Sequence, residues 1–382
     1  MSIITETNEH YVRAKKIAKC GDFEEIFNAL NNEGLFDVCL DITKSEFDNF
    51  FKEMEFEPGD MMWKVLTILN LYDRATLEHS LRTFAITKDI ATKSLRGPHE
   101  ENIVLSDYLH EANLSLRELL LASLGHDIGK TKLPVEILHN SLTNEEMNKV
   151  LIDMIRRKEN EEEIAIKLGF SISDLNNKTG DEIIARIYER GMRPVNIVPL
   201  SEAFPESKYP GLISDLKSNG FNFNLSIKET AKIHESEGQK IFEKLGEPII
   251  ADLVGHHHNY AKEKENELRY SIKIPSLKIG NHEPIFGVYN IIKIADSLDS
   301  LQSKRPYKNG MSKIAALAEI SHQAMTDRME KSICYLWVSN EYAELKETMK
   351  ESDITDEDLQ DKKAIETIER FLGETKKEFN AT

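Results

Sequence analysis

The sequence predicts an all-α fold, and three observations predict it. Apolar residues recur at steps of three and four through each long patterned stretch, the spacing that lines one face of a helix. Thr143-Asn-Glu-Glu146 has the hydroxyl and carboxylate spacing of a capping box, which opens a helix. No series of alternating apolar and polar segments of the kind that builds a sheet is present.

Taken in chain order, residues 1–60 form an N-terminal helical segment. Residues 61–96, MMWKVLTILNLYDRATLEHSLRTFAITKDIATKSLR, keep helical spacing throughout, with Asp73 or Thr76 as the cap. Residues 115–126, SLRELLLASLGH, are a largely buried helix, and another starts at Thr143. These belong to a first domain part, 61–151. Residues 152–226 hold a charged run, the turn Asn176-Asn-Lys-Thr-Gly180 and a Pro- and Gly-rich section from Gly191 to Gly220. They are expected to be an inserted subdomain of short helices and loops. The second part of the interrupted domain, 227–325, has helices at 227–246 and 285–303. The polar stretch 259–281 between them is expected to be a long loop. Residues 326–382 are charged C-terminal helices.

The chain has 382 residues, 40% hydrophobic and 30% charged, enough apolar material for a core. Its net charge of −17 argues against binding long nucleic acid, which needs basic surface. The acid concentrates toward the end, where 13 Asp and Glu face 7 Lys and Arg from Glu341 onward. The stretch Gln302-Ser-Lys-Arg-Pro-Tyr-Lys308 is locally basic, so a small anionic substrate stays compatible with the overall charge. Leu119–Leu124 is far too short to cross a bilayer, and the first residues, MSIITETNEHYVRAKK, lack the apolar centre of a signal peptide. Cys20, Cys39 and Cys334 are scattered and read as reduced thiols. A cytoplasmic protein with no membrane partner is expected. A homodimer is one assembly the sequence leaves open.

The chemistry concentrates in a few histidines and acids. His126-Asp127 pairs an imidazole with a carboxylate that can bridge two cations, a mixed donor set that divalent transition metals accept. Such a dipeptide alone is common and means little. Asp127-Ile-Gly-Lys130, however, brings an ammonium to the next turn, where it would meet a phosphate oxygen. His79, in Thr76-Leu-Glu-His79-Ser, and His234, in AKIHESEGQKIF, would singly be ordinary satisfied histidines more often than ligands. The triplet His256-His257-His258 follows an apolar run at a helix end, which favours metal ligation. Asp296 is embedded in Asn290-Ile-Ile-Lys-Ile-Ala-Asp296, and a carboxylate buried there needs a cation or strong donor. Asp299 is one turn on, so either acid can be the ligand and the other a cap or a partner of Lys304 or Arg305.

Together these segments resemble an HD-GYP domain, the branch of the HD superfamily of metal-dependent phosphohydrolases that opens cyclic dinucleotides. The matching pieces, in order, are Tyr72 to Ser80, His126 to Leu138, Leu142 to Glu146, His234 with Gly238, the histidine cluster, and Ala295-Asp296 through Arg305-Pro-Tyr307. They span about 65–150 and 227–325. The resemblance implies a helical bundle with metals at its middle. It implies one ion on His79, His126, Asp127 and Asp296, and a second on Asp127, His234, His257 and His258. By family habit the two divalent transition-metal ions are iron or manganese. Ala75 stands where some members carry a third-metal glutamate, so two ions are expected rather than three. The Gly-Tyr-Pro signature is absent, its nearest counterpart being Lys273-Ile-Pro275 ahead of Ser-Leu-Lys-Ile-Gly280.

The implied reaction is attack on phosphorus by a hydroxide bridging the two ions. Asp127 and Lys130 would be the catalytic residues, Lys130 orienting a non-bridging oxygen, and Arg305 with Lys304 or Lys308 would meet a phosphate or guanine edge. A cyclic dinucleotide, cyclic di-GMP or a relative, is the first substrate expected. The rival readings are an HD phosphohydrolase acting on another nucleotide phosphate ester and a non-catalytic module that binds a cyclic dinucleotide.

Overall fold

The computed structural model describes all residues except 1, 20, 139–141, 158–160, 191, 260–268, 278–284, 304–309, 351–357 and 381–382. The fold is all-α: 73% of it is helix and 4% strand. The strands are two small antiparallel pairs, Leu95–Arg96 with Asn102–Ile103 and Ser271–Lys273 with Ile285–Gly287.

Helical periodicity carries through breaks that local chemistry explains. The 61–96 pattern becomes two helices, Asp60–Tyr72 and Arg74–Thr92. Asp73 parts them, with extended backbone (φ −154°, ψ 111°) and a carboxylate that accepts from the Thr76 amide at 2.9 Å. Of the two caps the sequence offers, Asp73 is the one used; capping at such a position contributes about 1 kcal/mol. The 227–246 pattern likewise splits into Ile227–Ala231 and Ile233–Lys244. The helix expected over 285–303 begins only at Tyr289, because residues 285–287 pair as a strand with 271–273. The latter lie in the stretch expected to be loop. Two or three residues are too few to show an alternation.

The chain divides into two compact units, one of 1–36 with 129–237 and one of 37–128 with 238–382. The sequence-drawn boundaries at 60, 151 and 226 rest on composition and differ from this division. In the first unit the Asn144–Arg156 helix opens with the capping box Thr143/Glu146. Short helices follow, at Glu161–Leu168, Ile172–Asn177, Gly180–Glu189 and Pro210–Ser218. They share a core that includes Met147, Leu151, Ile187, Phe204 and Leu216.

In the second unit the Tyr289–Gln302 helix packs against Arg74–Thr92 and Leu116–Gly125, and Pro248–His256 packs against Leu116–Gly125. From Tyr289 to Ala295 every side chain is buried. A helix apolar on all sides belongs in the middle of a bundle, and this placement carries its two aspartates inside. Helices Lys313–Met325, Lys331–Lys350 and Asp358–Asn380 pack together beyond it. Among the described residues no helix is long and apolar enough to cross a membrane. Cys39 and Cys334 are buried free thiols, the first pushed up to about 11 by burial, so neither has the thiolate character of a reactive cysteine. Cys20 lies outside the described residues.

Candidate metal centre

Four helices of the second unit deliver the site. The Arg74–Thr92 helix buries Leu77, Leu81, Phe84 and Ile90, and His79 with them. The Leu116–Gly125 helix, started by the capping box Ser115/Glu118, buries every residue from Leu119 to Gly125. It ends at His126, so the His126-Asp127 pair occupies the helix terminus and the turn after it. Gly125 is required by close approach: a Cβ there would lie 2.3 Å from Phe242 Cζ. The Pro248–His256 helix begins with its proline at the first turn and runs out directly into His257 and His258. Tyr289–Gln302 contributes Asp296 and Asp299.

These residues converge on His79. Its Nε2 lies 2.9 Å from Asp296 Oδ1 and 3.5 Å from Asp127 Oδ2. His126 Nε2 is 3.4 Å from Asp127 Oδ2 and 4.0 Å from Asp296 Oδ1. His258 Nδ1 stands 3.7 Å from the other Asp296 oxygen. The His126 ring meets those of His79 and His257 edge-on, with centroids 5.2 and 5.1 Å apart, and His257 lies 4.0 Å from His258.

Backbone carbonyls set the tautomers. His126 Nδ1 donates to Ser123 O at 2.8 Å and His257 Nδ1 to Val254 O at 2.6 Å, which leaves each Nε2 with its lone pair. In His79 the same task falls to a carboxylate, since Nδ1 is 2.6 Å from Asp299 Oδ2. Arg82, one turn along from His79, holds Asp299 in turn, with Nε at 2.5 Å and Nη2 at 3.1 Å. A metal-ligating histidine anchored through its second nitrogen to a carboxylate is a recurrent arrangement, and it raises the ligand's basicity. Asp299 thus takes the supporting role and Asp296 the facing one.

The charges favour a cation at this point. Asp127, Asp296 and Asp299 are all buried. Burial works to lower the His79 pKa, but hydrogen bonds to Asp296 and Asp299, together with the charges of Asp296 and Asp127, outweigh it and raise His79 to about 9. Burial likewise works to raise Asp296, yet the hydrogen bond and charge of His79, then the charges of His258 and His126, hold it well below the usual carboxylate range. A proton on His79 is what this carboxylate group collects without metal, and a divalent ion would replace it with more charge. The donor spacing fits. Ligands roughly 2.1 Å from one ion stand about 3.0 Å apart when adjacent and about 4.2 Å when opposite. The separations from His79 and His126 to Asp127 and Asp296, 2.9 to 4.0 Å, match that interval to within 0.1 Å. The combination of imidazole and carboxylate suits iron, manganese, nickel or zinc.

The structure therefore brings together His79, His126, Asp127, His257, His258 and Asp296. His256 turns elsewhere, its Nδ1 donating to Asp252 O at 2.6 Å and its ring near Tyr289. His234 and Lys130 belong to the first unit. There His234 is buried, with Nδ1 donating to Ala231 O at 2.5 Å, and Lys130 is half-buried in the 3-10 turn Ile128–Lys132. Lys304, Arg305 and Lys308 lie outside the described residues.

Two residues escaped the sequence reading. Arg82 carries a signal only in being three residues beyond His79, on the same helix face. Lys293 looks like a charge misplaced in an apolar run. It is buried, and its Nζ donates to the carbonyls of Asn259 and Arg328, each at 2.6 Å. It thereby ties Asn259, the residue after His258, to the Tyr289–Gln302 helix. No family model, no curated protein and no solved structure matches this chain.

Proposed function

We propose that this chain is a cytoplasmic metal-dependent phosphodiesterase of the HD superfamily, similar to its HD-GYP branch, which hydrolyses a cyclic dinucleotide. The observation that carries the reading is the clustering of His79, His126, Asp127 and Asp296, with atoms of three chain segments at ligand spacing. These four would hold one divalent ion. Asp127, His257 and His258 would contribute to a second, to which the sequence resemblance adds His234. Bound divalent ions of this kind make water ionisable near neutral pH and neutralise charge growing on phosphoryl oxygens.

The chain's own residues do the rest. Asp299 keeps the His79 proton on Nδ1, so that Nε2 faces Asp127 and Asp296. The Ser123 and Val254 carbonyls do the same for His126 and His257. Lys130, three residues after Asp127, would pair with a non-bridging phosphate oxygen, and Arg305 with Lys304 or Lys308 with a second phosphate or a guanine edge.

The missing Gly-Tyr pair favours a second substrate reading, another nucleotide phosphate ester. Turnover separates the readings. The metal-loaded chain is incubated with cyclic di-GMP, with mixed cyclic dinucleotides and with a chromogenic phosphodiester. Linear dinucleotide product supports the first reading, and release from the chromogenic ester alone moves the substrate elsewhere. Binding of cyclic di-GMP with no product from any of them would leave a binding module instead of an enzyme.

A further inference from the structure

Farther along two of the four helices that carry the site, Arg74–Thr92 and Tyr289–Gln302, a cavity of about 380 Å³ opens in the second unit. This is the volume range of small-molecule pockets. Its apolar lining comes from Ile86 on Arg74–Thr92, Leu298 on Tyr289–Gln302, Leu317 on Lys313–Met325 and Trp337 on Lys331–Lys350. The last three side chains are buried. Asp89, Gln302 and Lys313, all exposed, give it a polar edge. None of these residues belongs to the metal centre.

The charges on this lining decide what it can take. Glu341 is bridged by Lys93 at 2.8 Å and Lys313 at 2.5 Å, and Lys93 also reaches Glu344 at 2.7 Å. Two lysines therefore answer two glutamates. The Asp89 carboxylate has no ion pair or side-chain hydrogen bond among the described residues, so one negative charge is left over on the lining. Burial raises the Asp89 carboxyl above its ordinary value; Lys93 and Lys313 oppose this, while Glu341 and Glu344 add to it. The carboxylate would be eased by an incoming cation. An anion would find no lysine unengaged, and one unpaired carboxylate beside two ammonium groups is a poor metal site. The indole face of Trp337 already carries the Lys93 ammonium, 5.5 Å from its ring centroid, so a ligand cation belongs on Asp89 and an apolar body on the buried walls.

We propose that this cavity binds a small organic ammonium compound, with its cation on Asp89 and its apolar body against Trp337, Leu298 and Leu317. The site is independent of the metal chemistry and can be tested on metal-free protein. Phenethylamine serves as the probe and 3-phenylpropionate, of similar size and opposite charge, as the control. Trp63→Phe leaves Trp337 as the single tryptophan, so its fluorescence reports on the cavity. Titration calorimetry on the unaltered chain supplies the same answer should that variant not fold. Saturable binding of phenethylamine, weakened about tenfold by Asp89→Asn as a charge-assisted contact is lost, is the expected result. The proposal is overturned by no saturable binding, by equal binding of the carboxylate control, or by undiminished affinity in Asp89→Asn.

Discussion

Replacing Asp299 with asparagine tests the support beneath the candidate metal centre. Asp299 holds His79 Nδ1 at 2.6 Å, accepts from Arg82 at 2.5 and 3.1 Å, and takes a hydrogen bond from Ser303 Oγ at 3.1 Å. Asparagine keeps one acceptor oxygen but loses the charge, and charge-assisted hydrogen bonds are about twice as strong as neutral ones. Nearly half of the Arg82 side chain is exposed, so solvent screens its share. The bond to buried His79 dominates, worth roughly 1–1.5 kcal/mol on replacement. That is about tenfold in metal affinity, at the lower end of the 10–100-fold typical of such supporting groups. The substitution also lowers the proton affinity of His79, which near neutral pH offsets part of the loss. Competition titration against a chelator is therefore best made above pH 9, where the proton no longer competes. Unchanged affinity there, in a variant with native circular dichroism, would refute the role given to Asp299.

Other perturbations follow from the same structure. In the metal-free protein the raised pKa of His79, about 9 against an unfolded value of about 6.5, contributes stability that is fully present below pH 6.5 and lost as pH rises through 9. The loss is on the order of 3 kcal/mol, seen as a falling melting temperature in chelator and flattened by His79→Gln; a level profile in the unaltered chain would count against the pairing. Lys293→Met leaves the carbonyls of Asn259 and Arg328 without their ammonium. It should cost about 2–4 kcal/mol in urea unfolding and speed hydrogen exchange at the Asn259 amide, whereas a cost below about 0.5 kcal/mol would mean the clamp is idle. Gly125→Ala drives a methyl into the Phe242 ring. A loss of about 1–3 kcal/mol is expected, largely recovered by adding Phe242→Leu; lack of recovery would place the strain elsewhere.

The all-α fold was legible because burial of one helix face writes itself into the sequence every three to four residues, as in 61–96 and 115–126. The breaks were less so. Asp73 was one of two plausible caps, and the strands at 271–273 and 285–287 depend on a partner across an intervening segment, which no local pattern records. Within the site, His126-Asp127 and the embedded Asp296 stood out because a carboxylate in an apolar run is costly without a partner. The choice between Asp296 and Asp299 could not be made locally. Asp299 finds His79 across 220 residues of sequence, and helix register alone allows either acid to face inward. Arg82 was hidden for the opposite reason: an arginine on a partly exposed helix face is ordinary until the residue it grips is known.

The most direct measurement is elemental analysis of protein purified without added metal, comparing the unaltered chain with Asp127→Ala. About two transition-metal ions per chain, as expected for a two-metal hydrolase, and loss of metal in the variant are the predicted results. No metal in the unaltered chain, and none taken up on reconstitution with iron or manganese, would contradict the assignment of these residues as ligands.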